Sequence, residues 1–178
     1  SEKKRILLII CYIFAVLNKK DMSILQIGDR APSFNLFSSD KQEINLQSYT
    51  GKNVVLLFFP LAFSGTCTKE VCMMRDDISR YNNINAEVIG ISVDSVFTLA
   101  KFKEENALPF TLLSDFNKVV IKAYGCLREE FAFGYKGVAN RSVFVIDHAG
   151  IIKHIEILEN PGDLPNFDAV NEVLNSLN

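Results

Sequence analysis

Three stretches of the chain are apolar over the length of a strand: Val54–Phe59 (VVLLFF), Glu87–Val93 (EVIGISV) and Ser142–Ile146 (SVFVI). Such runs suit strands covered on both faces. Polar residues return between them at helical spacing. Cys67–Asn82 places Val71, Met74, Ile78 and Tyr81 three and four residues apart and predicts a helix. Ser95 caps a second predicted helix that runs through Asn106, with Phe97, Ala100 and Phe102 toward its apolar side. Phe110–Leu113 predicts a short strand, and Asn117–Tyr124 a short helix stopped by Gly125. Residues 126–139 read as irregular. Ile151–Leu158 returns against Ser142–Ile146 as a hairpin across Asp147–Gly150. Phe167, Val170, Val173, Leu174 and Leu177 mark a closing amphipathic helix. Near the start, turns at residues 29–32, 38–40 and 49–52 frame a short extended segment, Ser33–Phe37.

Strand and helix therefore alternate at first and give way to an antiparallel hairpin. That order predicts an α/β fold, a thioredoxin-like three-layer sandwich with a mixed central sheet and helices on both faces. Fold order alone says nothing of activity. Residues 22–178 read as one domain. Residues 1–21 stand apart: Lys3, Lys4 and Arg5 precede a 12-residue apolar run, Ile6–Leu17, then Asn18, Lys19, Lys20 and Asp21. The run is short for a bilayer span of about 20 residues. Three readings remain for it: an anchor or export segment, an added packing element, or sequence upstream of a native start at Met22. The last is favoured.

Composition narrows the function classes. A formal net charge of −2 gives no footprint for nucleic acid. Fourteen Phe and no Trp point to a Phe-rich core. The four cysteines (Cys11, Cys67, Cys72, Cys126) are too few and too irregularly spaced for a disulfide scaffold. They suit a cytoplasmic protein in which a cysteine does chemistry; export or membrane association is the alternative if residues 1–21 are native. Cys11 and Cys126 read as passive core thiols. His148 and His154 lack a third ligand at a sensible spacing, so no metal site is expected.

Cys67 is the candidate nucleophile. It falls in the first turn of its predicted helix, where unpaired N–H groups and the helix dipole favour an anion. The Ser64 hydroxyl, three residues upstream, is placed to donate to the sulfur. Pro60 stiffens the turn between strand and helix and shields the sulfur from bulk water. Arg141 precedes a strand expected beside Val54–Phe59, so its guanidinium reaches the same sheet end. Arginine stays charged and offers a fork of donors to a sulfur and an oxygen together. Glu70, one turn after Cys67, is placed to orient that arginine through paired hydrogen bonds. Each residue alone has an ordinary structural explanation.

Together, Pro60, Ser64 and Cys67 in a P-x3-S-x2-C pattern after an apolar strand resemble the active-site motif of the peroxiredoxins, and Arg141 in ANRSVFVID sits where that family keeps an arginine. FFPLAFSGTC, LLSDF, AYG and GVANRSVFVID are similar to the one-cysteine alkyl hydroperoxide reductase E group. CTKEVC is similar to the bacterioferritin comigratory protein, or Q-type, group, in which a second cysteine five positions on closes a disulfide. The resemblance runs from about Met22 to the C-terminus. It implies a thiol peroxidase without metal, haem or flavin, acting on hydrogen peroxide or an alkyl hydroperoxide. It also implies recovery by a thioredoxin- or glutaredoxin-like reductant. Its E group tends to pair as homodimers and its Q-type toward monomers.

Cys72 decides the recovery route. Residues five apart on an intact helix have Cα atoms about 8.7 Å apart, whereas a disulfide tolerates at most about 6.8 Å. Either the helix start unravels and Cys72 resolves Cys67, the favoured reading, or an external thiol reduces Cys67 directly and Cys72 is a core residue. Two further classes compete: a thiol-disulfide oxidoreductase, against which the C-x4-C spacing argues, and a binding module with an incidental cysteine.

Overall fold

The computed structural model describes residues 24–177; the apolar extension of residues 1–21, with Cys11, lies outside the described residues. Two short strands, β1 (Asn35–Ser38) and β2 (Glu43–Asn45), precede β3 (Asn53–Phe58), which is buried at all six positions. Alternation along β3 feeds two cores. Val54, Leu56 and Phe58 point to one side of the sheet and Val55 and Leu57 to the other, followed there by Phe59. An unbroken apolar run is what a strand covered on both faces requires.

The chain continues through α1 (Gly65–Asp76), α2 (Ile78–Asn83), β4 (Ala86–Ser92), α3 (Val96–Glu105) and β5 (Thr111–Ser114). Next come α4 (Val119–Ala123), the two-residue strands β6 (Leu127–Arg128) and β7 (Val138–Ala139), the hairpin β8 (Ser142–Ile146) and β9 (Ile152–Ile157), and α5 (Phe167–Ser176). Among the described residues, seven strands form one sheet in the order β2-β1-β5-β4-β3-β8-β9, and β6 pairs with β7 separately. β3, β4 and β5 are parallel neighbours, whereas β8 runs antiparallel to β3. Two right-handed crossovers stepping the same way put their helices on one face. Residues of α1, α2, α3 and α5 accordingly share one core, and α4 packs on the opposite face through Val120 and Ile121. The expected mixed sheet with helices on both faces is the fold observed. Among the described residues, no helix is long and apolar enough to cross a membrane.

The differences from the sequence reading have local causes. The helix expected over Cys67–Asn82 is two helices, because the chain leaves helical geometry at Asp77 (φ −101°, ψ 5°). Phe97 is exposed, and Leu99 and Phe102 carry the buried face of α3. Residue 97 falls in the first turn and points outward, while positions 99 and 102 lie one turn apart over the sheet. The stretch 126–139 is less irregular than expected, since β6 and β7 pair through Leu127–Ala139 and Arg128–Val138. Gly90 in β4 has a packing reason: a Cβ there would stand 2.7 Å from Leu112 Cδ2 and 3.2 Å from Phe59 Cε1. The Phe-rich core is real, with Phe34, Phe58, Phe59, Phe102, Phe110 and Phe144 buried.

Candidate active site

The C-terminal end of β3 and the N-terminal end of β8 lie side by side, with Phe58 opposite Ser142. Arg141 is therefore delivered to the point where the chain leaves β3 for α1. Between them runs Pro60–Ser64, a turn with Phe63 in the left-handed region at φ +63°. A non-glycine residue held there needs support from its surroundings. The Phe63 ring packs on Phe102 at 5.1 Å, and Ala62 N–H donates to Asp94 Oδ2 at 2.8 Å. Asp94 also accepts from Ser92 Oγ at 2.7 Å, which ties the turn to the end of β4. Pro60 is buried at the head of this turn.

α1 buries Cys67, Glu70, Val71 and Met74, the i, i+3, i+4, i+7 stripe of an amphipathic helix. The candidate nucleophile and the candidate carboxylate thus occupy core positions. Cys67 is only 1% exposed and Glu70 is fully enclosed. Arg141, also buried, meets both: Nη2 donates to Cys67 Sγ at 3.3 Å, and Nη1 donates to Glu70 Oε2 in a close ion pair. The expected paired bonds are a single one, since among the described residues Glu70 Oε1 and Arg141 Nε have no hydrogen-bond partner.

Ser64 is the N-cap residue of α1, but its hydroxyl does not reach the sulfur. It donates to the Leu61 carbonyl at 2.9 Å and makes no cap bond. The turn bends Ser64 back toward β3, so its proton closes the turn and its lone pairs remain for another donor. The first backbone bond of the helix runs from Thr68 N–H to the Ser64 carbonyl at 2.9 Å. The Thr66 and Cys67 N–H groups are left at the helix mouth, as the geometry of a helix start dictates. Around this mouth lies a cavity of about 370 Å³, lined by Ser64, Thr66, Cys67, Arg128, Phe131 and Arg141 among others. A larger cavity of about 490 Å³ lies at the other end of β3, around Lys52 and His148, and holds no cysteine.

Cys72 is not part of this cluster. It sits off the buried stripe of α1, and its thiol faces Asn106 Oδ1 at 3.7 Å. Arg75 Nη1 donates to the Asn106 carbonyl at 2.8 Å, so the second half of α1 is fastened to the end of α3. Cys67, Cys72 and Cys126 are all unpaired. Burial pushes the Cys126 thiol up to about 12, which keeps it protonated and unreactive, as its reading as a core residue requires.

Burial also pushes the Glu70 carboxyl up to about 7, with Arg141 pulling the other way. Burial lowers Arg141, but Glu70 and the Cys67 sulfur more than offset it, and the net shift is upward. Glu70 therefore couples stability to pH. The folded chain keeps a proton there that the unfolded chain gives up above 4.5, so its contribution is complete below 4.5 and is lost as pH rises through about 7. Urea unfolding of wild type and Glu70→Gln is expected to show wild type losing ground to the variant between about pH 5 and pH 8. A difference independent of pH would contradict that assignment.

The AhpC/TSA family model matches residues 27–155. The chain belongs to the AhpC/TSA family, the peroxiredoxins. A putative peroxiredoxin bcp of Coxiella burnetii is 38% identical over 133 residues, 74% of this chain and 87% of that protein. The alkyl hydroperoxide reductase E of Mycobacterium tuberculosis is 38% identical over 144 residues, 79% of this chain and 90% of that protein. Among solved structures, the peroxidoxin BcpB of Mycobacterium tuberculosis superposes with a TM-score of 0.77 at 29% identity, covering 86% of this chain and 99% of its own. A peroxiredoxin-like protein from Aquifex aeolicus gives 0.78 at 26% identity, covering 86% and 88%.

Three side chains of this peroxiredoxin that sequence reasoning did not single out also shape the site. Asp94 and Phe63 hold the turn, and Arg128 lines the cavity. Only Phe63 left a sequence trace, as the one aromatic side chain in the Pro60–Ser64 turn.

Proposed function

We propose that Cys67 is the peroxidatic cysteine of a thiol peroxidase acting on hydrogen peroxide and alkyl hydroperoxides. The observation that carries this is the Arg141 fork, with one nitrogen on Cys67 Sγ at 3.3 Å and the other on Glu70. The thiolate is the nucleophile. Its sulfur attacks the terminal oxygen of ROOH; an S–O bond forms as the O–O bond breaks. Sulfur loses two electrons to become the sulfenic acid, and RO⁻ leaves and takes up the proton that the thiol had released. Charge spreads over both oxygens at the transition state. Arg141 Nη2 and the N–H groups of Thr66 and Cys67 are the donors placed to receive it. Ser64 Oγ, which still has lone pairs, accepts from the peroxide O–H. Pro60 holds the turn in which these groups stand.

Recovery is read as an intramolecular step: Cys72 S–H attacks the Cys67 sulfenic acid, a disulfide forms and water leaves. α1 is continuous from Gly65 to Asp76, so its first turns must open for the two sulfurs to meet. The start of α1 suits opening, because Ser64 supplies no side-chain cap, a loss of about 1 kcal/mol. A thioredoxin- or glutaredoxin-like reductant then reads the disulfide. The cysteines, too few and too irregularly spaced for a disulfide scaffold, support a reducing compartment, the cytoplasm. The seat of the Cys72 thiol against Asn106 favours a second reading, in which an external thiol reduces Cys67 directly. Intact mass after one equivalent of peroxide decides between them. The resolving route predicts loss of two hydrogens, formed faster in Asn106→Ala than in wild type. A stable gain of one oxygen in the absence of added thiol contradicts it.

A further inference from the structure

Arg141 Nη2 carries two protons, and both are engaged: one faces Cys67 Sγ at 3.3 Å and the other the Pro161 carbonyl at 3.1 Å. How this nitrogen presents itself to the sulfur therefore depends on where that carbonyl stands. Pro161 belongs to the connection between β9 and α5, outside any strand or helix. Such segments move unless they are tied down.

The loop closes on itself: Asn160 Nδ2 donates to Asp163 Oδ1 at 2.9 Å, and Gly162 N–H donates to Asn160 Oδ1 at 3.1 Å. Those bonds shape the turn without attaching it to the domain. Among the described residues, the side-chain hydrogen bonds that link residues 159–165 to other elements come from Arg128 and Arg141. Backbone N–H groups fasten the ends of the connection: Leu158 to the Arg141 carbonyl, Asn166 to Glu156 Oε2 and Phe167 to the Pro165 carbonyl. Arg128 Nη1 and Nη2 donate to the Glu159 carbonyl at 3.1 and 2.6 Å, and Nη1 also reaches Asn140 Oδ1 at 3.3 Å. Asn140 directly precedes Arg141, and Arg128 is itself anchored as the last residue of β6. One half-buried guanidinium thus grips the entry to the loop and the residue before the arginine on the sulfur.

We infer that Arg128 is a positioning residue for Arg141, acting through the Glu159–Pro161 segment. It aligns the donor that meets the sulfur and the peroxide oxygens without touching either. Lysine cannot reproduce this grip, because a single ammonium lacks the planar fork that spans two acceptors. The inference rests on the peroxidase reading and deepens it.

The test is the rate of peroxide reaction with the reduced protein, followed by quenched flow. It compares wild type, Cys67→Ser, Arg128→Met, Arg128→Lys, Arg141→Lys and the Arg128→Met/Arg141→Lys pair, with thermal midpoints of all. Arg128→Met is expected to slow the reaction about tenfold, since small misplacements of a reacting constellation cost factors of this order or more. Arg128→Lys should recover part of the loss. In the pair, the two losses should not multiply, because Arg128 acts only through Arg141. An unchanged rate in Arg128→Met overturns the inference. So do losses that multiply fully in the pair, as an independent or merely structural role would give, with or without a lower midpoint. A Cys67→Ser protein that keeps the wild-type rate instead removes the peroxidase reading itself.

Discussion

Cys67→Ser is expected to lower peroxide consumption by at least roughly three orders of magnitude, the scale on which loss of a nucleophile removes covalent catalysis. A serine hydroxyl at the mouth of α1 keeps the shape of the site and its contact with Arg141. It lacks the sulfur lone pair that accepts an oxygen atom and has no sulfenic acid to form. The fold should be indifferent to the change: Cys67 is enclosed at the edge of a large core, and one chalcogen replaces another. Cys72 and Cys126 should not compensate. Cys72 faces Asn106, and the Cys126 thiol is held protonated by burial, with its upward shift to about 12. The measurement is peroxide consumption with dithiothreitol as reductant, alongside a thermal midpoint. A variant that still consumed peroxide at the wild-type rate would place the chemistry elsewhere in the molecule.

Arg141→Met has the next largest effect, and it acts twice. Removing a donor aimed at developing charge costs about 10²–10³ in rate. It also leaves Glu70 enclosed without its counter-charge, since the pair is buried and, among the described residues, Glu70 Oε1 has no hydrogen-bond partner of its own. Breaking one side of a buried ion pair costs about 3–5 kcal/mol, which for a chain of this size lowers the thermal midpoint by about 10 °C. The two effects separate in a second variant. Glu70→Gln added to Arg141→Met should restore much of the midpoint, because an amide is neutral in the enclosed site without having to take up a proton, as the carboxyl must once Arg141 is gone. The rate should stay low. Recovery of the rate together with the midpoint would show that Arg141 acts on folding alone.

The parts of this site that were legible in the sequence are those fixed by periodicity and spacing. The apolar run of β3 and the hairpin of β8 and β9 are each short and unambiguous. Their pairing carries Arg141 to the sulfur from 74 positions away. Glu70 could be placed because residues three apart share a helix face, and Cys72 could be excluded from direct reach because residues five apart do not. What the pattern does not carry is the direction of a single hydroxyl or the reach of a long side chain. Ser64 donates to Leu61 instead of the sulfur because the left-handed Phe63 turns the chain just before it. Arg128 belongs to the site through two carbonyl contacts across a loop, which no periodicity encodes. Phe97 looked apolar enough to be core, yet the face that α3 turns to the sheet is carried by Phe102 and by Leu99, which the pattern did not single out. Asp77 reads as one more polar residue in RDDIS, and the break it makes in the helix depends on backbone geometry alone.

The most direct measurement is the identity of the first sulfur to be oxidised. Reduced protein mixed with one equivalent of hydrogen peroxide, quenched rapidly into a sulfenic-acid-specific trap and digested for peptide mapping, should carry the label on Cys67 before any oxidation of Cys72 or Cys126. Label arriving first on either of those two thiols, or peroxide consumed while Cys67 stays reduced, would contradict the assignment of Cys67 as the reacting group.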